Sequence, residues 1–198
     1  MKALVRLELA LVGALMITGP SPSPALAQDH GGHPPTAQLP QTAEQKQQTG
    51  ALVRIVKDAT ARFSDVRVAQ EAGYNLLFGC VSGGDYGAMG LHYVNLPLVG
   101  DGLIDAMRPE IVLYEPSSHG RVRITGADYL VLAADWDANH TSAPELNGQL
   151  FHYFEAPNRF GLPAFYTLHV WAWKDNPAGT FSNWNPDVSC HGYSGATQ

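Results

Sequence analysis

Phe165-Tyr166-Thr167-Leu168-His169-Val170-Trp171-Ala172-Trp173 is a nine-residue run of aromatic, β-branched and apolar residues, and it reads as a central β-strand. Side chains alternate between the faces of a strand. Phe165, Thr167, His169, Trp171 and Trp173 are therefore expected on one side, with Tyr166, Leu168, Val170 and Ala172 on the other. The second side is plain core. The first sets an imidazole among large rings, where a buried polar group without a partner costs about 1–3 kcal/mol. The identity of that partner is the functional question.

Upstream of this run, from Tyr74 onward, short β-like segments are separated by Gly, Pro, Asn and Asp. Strands are expected over 89–95, 111–115, 121–124 continuing through 128–133, and 149–155, with turn chemistry at 82–85, 116–120 and 174–177. Before them, Leu52, Ile55, Val56, Ala59, Phe63 and Val66 recur at helical spacing, and a further helical turn runs through Val68 and Ala69 to a stop at Gly73. A helical layer followed by strands predicts an α+β fold: N-terminal helices packed on a curved, mostly antiparallel sheet or small open barrel.

The start of the chain has the pattern of an export signal. Lys2 and Arg6 precede an apolar run from Leu9 to Ile17, and Ala25-Leu26-Ala27 supplies a small-x-small cleavage pattern. Residues 28–48, rich in Gln, Pro, Thr, Gly and His, read as a flexible tail, and 49–198 as a single domain. No segment approaches the ~20 apolar residues of a membrane span. Without Lys2, Arg6 and Glu8 the remainder carries 10 basic and 17 acidic residues, a balance that argues against nucleic acid as partner. Cys80 and Cys190, in an exported protein, are expected to form a disulfide, worth about 4–5 kcal/mol in the chain-entropy picture. Cleavage after Ala27 would also place His30 third from a free amine, a donor set for Cu(II) or Ni(II), although a terminal Gln28 readily cyclises and removes that amine.

Four stretches have a distinctive wording as a set: Met89-Gly90-Leu91-His92-Tyr93-Val94-Asn95, Arg108-Pro109-Glu110-Ile111-Val112-Leu113-Tyr114-Glu115-Pro116, Leu168-His169-Val170-Trp171-Ala172-Trp173 and Asn185-Pro186-Asp187-Val188-Ser189-Cys190. Together they resemble a family of exported bacterial proteins, over most of residues 60–192. The resemblance implies an exported, periplasmic or secreted protein with one intact domain. It brings no reaction and no ligand.

The chemistry therefore rests on residues. His92, Glu110, Glu115, Asp128, His152, Glu155 and His169 all lie on or beside expected strands. Two imidazoles and a carboxylate from separate strands would form a three-ligand site with open positions, suited to one divalent transition metal: Zn, Fe, Mn or Cu. His92, Glu110 and His169 are the expected ligands, with Tyr114, Glu115 or Asp128 holding free imidazole nitrogens or acting as base. Glu110 and Glu115 have opposite parity, so only one can face the interior shared by the histidines. His152 reads as a surface histidine, and His119, His140 and His191 as solvated. The bland alternative keeps His169 on a backbone carbonyl and Glu110 in an ion pair with Arg108 or Arg121. The crowd of aromatic residues from Phe151 to Trp184 supports a second reading, a non-catalytic protein that binds a small ligand in an aromatic pocket.

Overall fold

The computed structural model describes residues 41–117 and 120–198. The expected export signal, His30, His33 and His119 lie outside the described residues.

The helical layer opens with α1 (Ala43–Thr60). It starts inside the stretch expected as a tail, because a capping signal rather than an apolar repeat marks its beginning. Thr42 N donates to Gln45 Oε1 and Gln45 N to the Thr42 hydroxyl, a reciprocal capping box. Leu52 and Val56 are fully buried one turn apart. A 3₁₀ turn (Ala61–Ser64) buries Phe63, and α2 (Val66–Glu71) follows, capped by the Asp65 carboxylate on Arg67 N.

Six strands form one curled antiparallel sheet in the order β1-β2-β3-β4-β8-β7. They are β1 (Asn75–Ser82), β2 (Ala88–Val94), β3 (Ile111–Pro116), β4 (Val122–Leu132), β7 (His152–Phe154) and β8 (Phe165–Val170). Two short helices, α3 (Leu96–Val99) and α4 (Ala133–Asp137), follow β2 and β4; a small hairpin, β5 (Glu145–Leu146) and β6 (Gln149–Leu150), precedes β7. The expected α+β architecture is the observed one. β1 escapes the sequence pattern because Phe78 and Gly79, both at positive φ, bulge between Leu77 and Cys80 and interrupt the alternation.

The sheet's two faces separate cleanly. Leu91, Tyr93, Val112 and Tyr114 pack with Phe63 and Ala69, and Ala127, Tyr129, Leu168 and Val170 with Leu52 and Val56, so this face meets the helices. Val94, Ile111, Leu113, Leu130 and Phe165 form the core of the opposite face. Strand parity puts His92, Asp128, Thr167 and His169 on that second face.

β8 ends at Val170, short of the expected strand. Ala172 N turns back to Val170 O, and Trp173 N donates to Thr125 O. The kink moves Trp173 off the His169 face: its indole N–H donates to the Thr60 hydroxyl of α1 (2.9 Å). Cys80 and Cys190 form the expected disulfide. The outer edge of β1 is covered by the chain end, with Cys80 N donating to Ala196 O and Gln198 N to Cys80 O. Among the described residues no helix is long and apolar enough to cross a membrane.

Candidate metal centre

His92 comes from β2, Asp128 from β4 and His169 from β8, and one donor atom from each lies within 4.8 Å of the other two. All three side chains are buried. Asp128 and His169 are direct partners across the β4–β8 ladder, which sets their side chains on the same face. His92 is paired with Leu113 of β3, one strand beyond β4, and its ring meets that of His169 at 5.7 Å between centroids.

The backbone that aims His92 depends on Gly90. Its φ is +89°, and a Cβ there would collide with the Tyr114 carbonyl oxygen. The neighbouring strand occupies the space that a side chain at this position would need. The Gly90 carbonyl lies 3.3 Å from His92 Nδ1, a contact that favours the tautomer with the proton on Nδ1 and the lone pair on Nε2. Asp128 is oriented by Thr167, whose hydroxyl donates to Oδ1 at 2.5 Å.

His169 is the anomaly. Its Nδ1 is 3.4 Å from Asp128 Oδ1 but lacks hydrogen-bond alignment, and among the described residues neither ring nitrogen has a hydrogen-bond partner. Burial holds protons off both rings: His92 is pushed down to about 4, with His169 adding to the effect, and His169 down to about 3. Burial also raises Asp128 to about 6. At neutral pH the cluster is two neutral imidazoles and a carboxylate, which is the protonation state a metal ion requires. Metal–ligand bonds of about 2.1 Å hold donors roughly 3–3.4 Å apart, so closing on one ion takes side-chain movements of about 1 Å.

The cluster forms the floor of a cavity walled by Phe78, Phe154, Phe160, Phe165, Leu130 and Leu162. Phe160 stands 5.4 Å from Phe78 and 6.2 Å from Phe165, and Phe154 stacks on Phe165 at 5.0 Å. The bulge in β1 delivers Phe78, and the loop after β7 delivers Phe160 and Leu162. Asn158 organises that loop, its amide donating to Leu162 O and its Oδ1 accepting from Phe160 N and Leu162 N.

Glu110, expected as the carboxylate ligand, is not in this group; Asp128 takes that place. Glu110 has the parity of Val112 and Tyr114, which face the helices, and its Oε2 accepts from Leu130 N (3.0 Å). It lines a separate cavity with Asp101, Asp105, Arg108 and Trp136. Tyr114 also faces the helices and donates to Phe63 O (2.7 Å). Glu115 sits at the far end of β3, bridging Arg123 and Lys174. None of these three approaches a ring nitrogen of His92 or His169. His152 is exposed, as expected, but lies opposite Thr167 and so shares the face of the cluster. Asp128 is the one charged residue in the run from Ile124 to Leu132, which marks it as an acid in an apolar strand, but only the register of β4 against β8 brings it to His169. Comparison with protein-family models, with curated proteins and with solved structures finds no match for this chain.

Proposed function

We propose that this is an exported protein that binds one divalent transition-metal ion through His92, Asp128 and His169, in a pocket lined by the sheet. The observation that carries the reading is His169: an imidazole 3% exposed, with both nitrogens unpartnered among the described residues, next to a second imidazole and a carboxylate. Such a ring costs a few kcal/mol unless something binds it, and an ion satisfies all three groups at once. Two nitrogen donors and one oxygen donor suit Fe(II), Zn(II), Mn(II) or Cu(II) and leave coordination positions open towards the cavity. A bound ion would supply Lewis acidity there. Thr167 would hold the carboxylate in place, and the phenylalanine walls would exclude bulk water. Export is supported by the Cys80–Cys190 disulfide, which persists in oxidising compartments, and by the signal pattern and the family resemblance.

The phenylalanine walls favour a second reading, a metal-free protein that takes a small ligand into an aromatic pocket. Elemental analysis separates the two. The full chain carrying His30→Ala and His33→Ala, which removes the N-terminal donors, is expected to retain one equivalent of metal. His92→Ala, Asp128→Ala and His169→Ala should each lose it with unchanged circular dichroism. A protein that takes up no stoichiometric metal even after anaerobic loading with each of the four ions would end the metal reading.

A further inference from the structure

The size and lining of the cavity go beyond the metal itself. Resting on the metal reading above, we propose that the open coordination position takes a very small ligand with few hydrogen-bonding needs, of the class of dioxygen and nitric oxide, and that the phenylalanine wall excludes ring-sized ligands and oxyanions. The cavity volume is about 20 Å³. An apolar cavity that admits benzene measures about 150 Å³, so this space takes a few atoms at most and no ring.

The lining decides the chemistry. The polar side chains on the cavity wall are the three ligands and Thr167, and the Thr167 hydroxyl is already committed to Asp128. A carboxylate or phosphate bound to the ion would point its remaining oxygens at phenylalanine and leucine carbons, with no further donor among the described residues that line the cavity, at a cost of a few kcal/mol per unsatisfied group. A diatomic molecule leaves little polar surface unsatisfied. The floor is buried while Phe78, Phe154, Phe160 and Leu162 are only partly so, which makes these four the mouth. Phe160 is held there from both sides: its own loop is tied by Asn158, and Arg159 of the same loop donates to Ser82 O at the end of β1.

The test uses the full chain, loaded anaerobically with Fe(II) and titrated with nitric oxide and, separately, with imidazole. Nitric oxide should give a stoichiometric iron–nitrosyl EPR signal. Imidazole should leave that signal and the metal's spectrum unchanged in the wild type, but bind at least about tenfold more tightly once Phe160→Ala opens the mouth, the discrimination expected from a steric wall. Leu162→Ala, at the same mouth, gives an independent opening should Phe160→Ala not fold. Iron bound at one equivalent without a nitrosyl signal would overturn the proposal. So would imidazole binding to the wild type as tightly as to both opened variants. A protein that binds another of the four ions but not Fe(II) would also overturn the proposal, whereas one that binds none of them ends the metal reading itself; the metal content measured before any ligand is added distinguishes these failures.

Discussion

At the scale of the residue, the buried imidazole of His169 leaves both of its nitrogens without a hydrogen-bond partner among the described residues. Leucine at that position would remove the unpartnered nitrogens and fill much of the same volume, and replacing an unsatisfied polar group by an apolar one is neutral or favourable. The metal-free His169→Leu protein is accordingly expected to be as stable as the wild type or more so, by up to about 1 kcal/mol, when unfolded in denaturant. The same variant should lose the metal-dependent gain, which for the wild type reaches about 2.7 kcal/mol at a hundredfold excess over Kd. A large destabilisation of the metal-free variant would mean that His169 holds the fold instead. Glu110 makes a different prediction. Burial raises its carboxyl to about 8, far above its ordinary value of 4.5. Below the ordinary value both states are protonated and the shift has no effect. As pH rises through that value the unfolded chain ionises while the folded one keeps its proton, so stability falls, and the fall levels off above about 8. Glu110→Gln should flatten this part of the stability–pH curve, and its advantage over the wild type at high pH should be on the order of 2–4 kcal/mol. Equal slopes for the two proteins between pH 5 and 8 would refute the assignment.

At the scale of the element, the site depends on irregularities that alternation does not reveal. Gly90 sits in β2 at positive φ against the Tyr114 carbonyl, two residues before His92. Gly90→Ala combines a strained φ with a backbone collision and should cost about 2–4 kcal/mol in unfolding experiments, together with weaker metal binding as His92 shifts. A variant with wild-type stability would show that β2 can move there freely. Phe78 shows the same limitation. In a regular strand it would face away from Leu77, but the bulge turns it into the cavity, so a parity argument reads it wrongly. The strands at 89–95 and 111–115 were legible nearly to the residue, because each is a mostly apolar run, broken only by His92 in one and ended by Glu115 in the other, whose two faces are both covered. β7 was harder: the expected segment 149–155 divides between the β5–β6 hairpin and the main sheet, with Phe151 buried against the helix-side core between them. The Asn158 loop was not legible at all, since its bonds join residues of one turn in a pattern with no period.

At the scale of the whole molecule, one covalent link ties the start of the sheet to the end of the chain. Cys80 and Cys190 are 110 residues apart, and the segment around Thr197 pairs along β1. Replacing both cysteines by serine should destabilise the protein by about 2–4 kcal/mol, on the order of 10 °C in thermal melts, with metal stoichiometry intact because β2, β4 and β8 carry the proposed ligands. Loss of the metal in that variant would show that the disulfide shapes the site. Local pattern alone determined the helical layer, most of the strands and the face of each strand that carries a histidine, because a side chain's face follows from its position within its own segment. It also supplied both imidazoles of the cluster. The acid that joins them was a tertiary matter. Asp128 reaches His169 through the register of β4 against β8, and Glu110 is turned to the helices by the phase of β3. Register is settled by hydrogen-bond ladders and bulges between segments some forty residues apart, and no periodicity within a segment encodes it.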